Sequence, residues 1–180
     1  IVHARKAWLS GLSPRENREV PPLQYERVYA LKERYPELTV VINGGITRVD
    51  EAIAHLKRVD GVMVGREAYQ NPWSLARVDE VLFDCVPDSK SRFDVLERYK
   101  TYMDTQLQTG VPLKRLARHL LGLFQGQPGA RIWRRALSDG AFRAGADLTA
   151  IESAEHQLDA VLEKHIASAA IPKPRMELRP

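Results

Sequence analysis

A single cysteine, Cys85, stands in a chain of 180 residues, so no internal disulfide framework and no cysteine-based zinc site can form. One cysteine is compatible with a reducing cytoplasm, the expected compartment. Hydrophobic runs are short as well. None approaches the ~18 apolar residues needed to span a bilayer, so no membrane partner is expected. No His, Asp or Glu falls at metal-ligand spacing, and no Ser-His-Asp order emerges, so neither a metal nor a triad hydrolase is expected. There is no internal repeat and no low-complexity tract. Acids are nearly missing from one stretch. Residues 111 to 145 carry Lys114, Arg115, Arg118, Arg131, Arg134, Arg135 and Arg143 against Asp139 alone, a local charge of +6 in a chain whose net charge is +4. The remainder therefore sums to −2. Such asymmetry is the expected footprint of a polyanion-binding face.

The composition that is present, 44% hydrophobic and 28% charged, is that of a globular chain. Its length falls short of the ~250 residues of a complete TIM barrel. The chain opens on Ile1-Val2-His3-Ala4-Arg5, which reads as a strand already in progress. The expectation is the C-terminal part of a longer protein.

Up to about residue 75 short β-branched runs alternate with amphipathic stretches. Strands are predicted near 1–5, 39–43 and 61–64, and helices near 22–34 and 48–57. Thr39-Val40-Val41-Ile42 is apolar on both faces, as in parallel strands covered by helices. After Pro72-Trp73 and Val86-Pro87-Asp88 strand signals stop, and helices are predicted near 89–108, 112–124, 129–138 and 149–165. Gly110-Val111-Pro112 and Gln127-Pro128-Gly129 read as turns. Thr149-Ala150-Ile151-Glu152 fits a capping box for the last helix. Three segments are thus expected: 1–85, α/β; 86–168, all-helical; and 169–180, a loose tail.

Two strands end in glycine beside a polar group: Ile42-Asn43-Gly44-Gly45-Ile46 and Val62-Met63-Val64-Gly65-Arg66. Glycine admits close approach of backbone N–H groups to a phosphate, a following helix N-terminus adds its positive end, and Arg66 can grip phosphate oxygens with two parallel hydrogen bonds. Consecutive strand ends of this kind predict a phosphate site. His3 falls at the end of the first strand, where a structural hydrogen bond and a ligand contact suit its two nitrogens equally. The loop from Gly11 to Pro22 is long for a βα connection of ~2–6 residues. It can serve a ligand, or it can be a solvated loop whose Arg and Glu residues pair with each other. Arg131, Arg134 and Arg135, at i, i+3 and i+4, share one helical face, with Trp133 turned toward a core. Cys85, in the stretch Leu82-Phe83-Asp84-Cys85, reads as structural or incidental.

With these pieces the chain resembles the tRNA-dihydrouridine synthase family, most closely its A type. The resemblance rests on His3-Ala4-Arg5-Lys6-Ala7-Trp8-Leu9, Gly11-Leu12-Ser13-Pro14 and Glu16-Asn17-Arg18. It continues through the two glycine turns to Ala68-Tyr69 and Asn71-Pro72. It implies an FMN enzyme, reduced by NADPH, that converts uridine to 5,6-dihydrouridine in the tRNA D-loop, at positions 20 and 20a. The implied fold is the C-terminal portion of a (β/α)8 TIM barrel followed by a helical-bundle domain that grips tRNA. By position, His3, Asn43, Gly44, Gly45, Gly65 and Arg66 would contact FMN, and Arg15, Arg18, Arg131 and Arg134 would contact tRNA. The family's proton-donating cysteine would lie upstream of Ile1, so no catalytic residue is expected in this chain, which alone should be inactive. Two other readings stay open: another FMN or sugar-phosphate barrel, or a non-catalytic RNA-binding module.

Overall fold

The computed structural model describes residues 1–87 and 90–169. The expected tail at 169–180 and Asp88 of the expected junction lie outside the described residues, apart from the end of the last helix at Ala169. The chain divides into two compact units, Ile1–Ser89 and Lys90–Pro180.

The first unit is built on three parallel strands, β1 (Val2–His3), β2 (Val41–Asn43) and β3 (Gly61–Met63), paired in the order β1-β2-β3. His3 lies opposite Asn43, and Asn43 opposite Met63, so all three strands end at one level. Helix α1 (Tyr25–Arg34) and helix α2 (Val49–Leu56) make the crossovers that parallel neighbours require. The order runs in one direction without reversal. Ile42, Val40, Val28, Ala52 and Val59 form the core between sheet and helices.

Particular residues set these boundaries. The helix expected from residue 22 begins at Tyr25, because Leu23 bridges to Arg5 and the Gln24 N–H donates to the Ala4 carbonyl at 2.7 Å. It ends at Arg34 because Pro36 disfavours helical backbone at Tyr35. Lys32 then donates to the Pro36 and Leu38 carbonyls at 2.8 and 2.9 Å and pairs with Asp60 at 2.9 Å. Asp60 also accepts from the Val40 N–H at 2.7 Å, and that bond, then Lys32, holds its carboxyl below the usual range. One carboxylate thus fastens the start of β2 to the start of β3.

Helices α3 (Arg66–Gln70) and α4 (Val78–Phe83), with a 3-10 turn at Pro72–Leu75 between them, occupy a stretch in which no helix was expected. Each is too short to display a full apolar period, the signal such expectations rest on.

The second unit holds α5 (Arg92–Gln108), α6 (Leu113–Ala117), α7 (Ala130–Gly140) and α8 (Thr149–Ala169). Ser91 and Asp94 make a reciprocal capping box for α5, the Ser91 N–H donating to Asp94 at 2.7 Å and the Asp94 N–H to the Ser91 hydroxyl at 3.2 Å. The helix expected over 112–124 stops at Ala117. Beyond it the N–H groups of Leu120, Leu123, Gln125 and Gln127 bond three residues back, tightening the chain into successive turns. That geometry delivers Phe124 to the core against Trp133, ring centroids 4.9 Å apart. The cap of α8 also differs from expectation. Asp147 supplies it, accepting from the Thr149 N–H at 3.0 Å and hydroxyl at 2.5 Å. Thr149 is therefore a donor, not the cap.

Buried in the first unit, His55 Nδ1 shares a hydrogen bond of 2.6 Å with the Tyr29 hydroxyl, and its ring packs edge-on against Tyr25 at 4.5 Å. Burial pushes its pKa down, because the charged ring would lose water. The unfolded chain therefore binds the extra proton more readily, and stability is lost as pH falls below the unfolded value of ~6.5. Thermal melting followed from pH 7.5 to 5.5 should show a falling midpoint, with a slope no steeper than about 1.4 kcal/mol per pH unit from this group. His55→Asn should flatten that slope while lowering the midpoint throughout.

Candidate functional site

At the C-terminal end of the strands lies a cavity of about 340 Å³ whose wall includes His3, Arg18, Asn43, Gly44, Gly45, Gly65 and Arg66. All six residues expected at a cofactor are brought to it. So is Arg18, expected at tRNA, whereas Arg15 does not line it and Arg131 and Arg134 belong to the second unit. A larger cavity of about 530 Å³ lies beside α2, β3 and α4, between side chains such as Val49, Leu56, Val62 and Leu82. Its walls are mainly hydrocarbon, and Arg48, which also lines it, is already paired with Asp50 at 2.8 Å.

The Gly44-Gly45 turn has φ of +118° and +72°, a region that costs L side chains energy. Space is equally restrictive. A Cβ on Gly45 would stand 2.5 Å from a Leu23 methyl, and one on Gly44 would stand 3.0 Å from His3 Cε1. Tyr25 holds the turn from below, its hydroxyl donating to the Gly44 carbonyl at 2.8 Å. Removal from water raises the Tyr25 pKa, so it stays a donor. Among the described residues, no carbonyl or side chain accepts from the N–H groups of Gly44, Gly45 or Gly65. Unpaired amides at a cavity wall fit an anionic ligand.

Gly65 differs from its counterparts. Its φ is −100°, and a Cβ there would meet nothing within 4 Å. The protein's own packing gives no reason for glycine at this point, but a ligand drawn close to the backbone would. The helix that follows, α3, has only five residues and adds little field. The amides of Thr47 and Arg48 before α2 already donate to Glu51, at 2.9 and 3.1 Å. The expected contribution from helix N-termini is therefore replaced by the turn amides and Arg66.

Arg66 is engaged with the long loop. One Nη lies 3.3 Å from the Glu19 carboxylate and the other donates to the Arg18 carbonyl at 3.2 Å. Both partners of the ion pair are about half exposed, 51% and 54%, so the pair is worth only ~0–1 kcal/mol. A doubly charged phosphate can displace it. His3 Nδ1 accepts from the Arg5 N–H at 3.1 Å, which leaves Nε2 to carry the proton and act as donor.

The loop is ordered by contacts that its sequence signals only in hindsight. Ser13-Pro14-Arg15-Glu16 is a capping box, the Ser13 N–H donating to Glu16 at 2.8 Å and the Glu16 N–H to the Ser13 hydroxyl at 3.3 Å. Those bonds hold the Glu16 carboxyl below its usual range. Asn17 clasps Trp8, accepting from its N–H at 2.7 Å and donating to its carbonyl at 2.9 Å. Arg5 donates to the Glu19 carbonyl at 2.7 Å and to the Pro21 carbonyl. The acids of this loop thus bond elsewhere than to Arg15 and Arg18, whose guanidinium groups have no partner among the described residues.

Cys85 is exposed and does not line the cavity. Trp133 is fully buried, as expected. Arg131 and Arg134 are exposed, Arg134 donating to Gln125 at 2.7 Å, while Arg135 lies 3.6 Å from Asp139.

Parallel α/β proteins gather their ligand-binding groups at the strand ends, where the glycine turns and cationic side chains of this unit lie. Comparison with known proteins narrows this. Residues 1–162 match the dihydrouridine synthase (Dus) family, and the chain belongs to that family. It is 55% identical over 154 residues to a tRNA-dihydrouridine(20/20a) synthase of Shewanella oneidensis, covering 86% of this chain and 46% of that protein. To the protein of that name from Escherichia coli K12 it is 54% identical over 164 residues, covering 91% and 47%. The one from Vibrio cholerae is 51% identical over 153 residues, covering 85% and 47%. The chain spans about half the length of these curated relatives.

Proposed function

We propose that the protein reduces uridine to 5,6-dihydrouridine in the D-loop of tRNA, at positions 20 and 20a, using FMN with NADPH as reductant, in the cytoplasm. On this reading residues 1–85 are the last βα units of a TIM barrel, 86–168 are a helical tRNA-binding domain, and the proton-donating cysteine is not Cys85. The observation that carries it is the convergence of His3, Asn43, the three glycines and Arg66 on one cavity. The unreversed strand order supports a barrel. The volume, near the lower end of the ~300–1,000 Å³ range of small-molecule sites, suits the phosphate-bearing end of a flavin.

Bound flavin supplies the hydride. The chain's own groups bind and orient. The free amides of Gly44, Gly45 and Gly65 would donate to the phosphate, Arg66 would leave Glu19 to share it, and His3 Nε2 would be a further donor to the cofactor. A uracil stacked within folded RNA has to swing out to reach such a pocket, and cations on either side hold the flanking phosphates while it does so. Arg15 and Arg18 in the loop, with Arg131 and Arg134 on α7, are proposed for that task.

The complete enzyme should purify with flavin absorbance and form dihydrouridine on unmodified tRNA when given NADPH. A colourless, inactive preparation that gains neither on adding FMN sinks the proposal. In the same enzyme, Arg131→Ala with Arg134→Ala should weaken tRNA binding and lower the slope of log affinity against log salt by about 2, with flavin content unchanged. Flavin loss in that variant would show that the two arginines serve the cofactor instead.

A further inference from the structure

The cations of α7 spread across one broad face of the helix. Arg134 leans toward Gln125, while Arg135 lies on the side of the helix that meets α8. On that side is a groove of about 500 Å³ whose lining includes Ile132, Arg135, Asp139, Arg143, Ser153 and Gln157. Gly140 forms part of its floor, and a Cβ there would stand 3.2 Å from the Ala150 methyl, so the two helices approach closely beneath it. Arg143 has no partner among the described residues, and Arg135 has only Asp139, at 3.6 Å with both side chains well exposed. Ser153 and Gln157 bond to each other at 3.4 Å and offer a hydroxyl and an amide at the rim.

We propose that this groove is a second RNA-backbone subsite, beside Arg131 and Arg134 and not lined by them, in which Arg143 and Arg135 hold a phosphodiester. The claim rests on the tRNA reading given above. Guanidinium forks match the two free oxygens of a phosphodiester, the Ile132 side chain gives a sugar an apolar surface, and the Ser153 hydroxyl and Gln157 amide are of the kind that bond a ribose 2′-hydroxyl. Asp139 is the one acid between residues 111 and 145, and it lies inside this groove. There it neutralises Arg135 and repels the incoming phosphate. It therefore tunes the affinity of the groove downward.

That opposition gives a test with a gain as well as a loss. In the complete enzyme, filter binding of tRNA across a salt series should show Arg143→Ala weakening affinity about tenfold and lowering the salt slope by about 1, the signature of one lost phosphate contact. Arg143→Lys should keep the slope. Asp139→Asn should tighten binding several-fold, which a merely misfolded variant would not do. Wild-type slope and affinity in both Arg143→Ala and Asp139→Asn would overturn the subsite while leaving the tRNA reading intact. Failure of the unaltered enzyme to bind tRNA at all would overturn the reading beneath it.

Discussion

Gly65→Ala in the complete enzyme is expected to abolish flavin retention while leaving the thermal midpoint within a degree or two of that of the unaltered protein stripped of its flavin. The backbone at Gly65 has φ of −100° and ψ of −94°, outside the left-handed region, and the added methyl meets no protein atom within 4 Å. A substitution with no protein contact to disturb falls within about ±0.5 kcal/mol of neutral for folding. The methyl would stand on the wall of the cavity that takes the phosphate, and it would exclude any group bonded directly to the Gly65 amide. Gly45→Ala provides the contrast. Its φ of +72° and the 2.5 Å approach to Leu23 mean strain and overpacking within the protein itself. That combination should cost about 2–4 kcal/mol of stability and lower flavin content only in consequence. Differential scanning fluorimetry beside the flavin absorbance ratio separates the two. If Gly65→Ala keeps its flavin, the phosphate does not lie against that amide, and the assignment of Gly65 and Arg66 to the cofactor fails.

The contrast shows what could be read from residues alone and what could not. The parallel strands with helical crossovers were legible because Thr39-Val40-Val41-Ile42 and Gly61-Val62-Met63-Val64 carry the pattern of strands buried on both faces. The gathering of His3, Asn43, Gly44, Gly45, Gly65 and Arg66 was legible for a related reason. Parallel strands of one register bring their C-terminal ends to one level, whatever lies between them in the chain. Side-chain contacts that do not follow from strand register were invisible. Nothing in the sequence announces that Tyr25 holds the Gly44 carbonyl, or that Arg66 reaches back 47 residues to Glu19. The short helices α3 and α4 were missed because their stability comes from packing and not from their own periodicity. Over residues 118–124 apolar periodicity suggested a helix, but Phe124 and Leu120 are buried from a chain of tight turns. Burial alone sets that pattern, and either backbone can satisfy it. Asp147 displaced Thr149 as the cap of α8 for a local reason: a carboxylate two residues earlier competes for the same donors.

Trp133→Ala is expected to unfold the helical unit and abolish tRNA binding while the flavin stays bound. Trp133 is fully buried and contacts Phe124, itself in contact with Phe93 at a ring separation of 5.1 Å, so one side chain anchors the aromatic centre of the unit. Its indole N–H donates to the Leu120 carbonyl at 2.8 Å, and that bond fixes the run of turns between α6 and α7 in which no regular helix supports the backbone. Truncation to alanine removes the aromatic packing, at about 3–5 kcal/mol, and one of the two hydrogen bonds to the Leu120 carbonyl, which keeps the Leu123 N–H at 3.0 Å, at a further ~0.5–1.5 kcal/mol. A small helical unit with a total stability of ~5–15 kcal/mol loses a third or more of it. Trp133→Phe should recover most of the packing but not the hydrogen bond, and its midpoint should fall between the two. Far-ultraviolet circular dichroism, filter binding of tRNA and the flavin absorbance ratio, measured on the same preparations, decide the matter. Loss of flavin together with helix content would mean that the two compact units fold as one, and the division of labour between cofactor and RNA proposed for them would have to be abandoned.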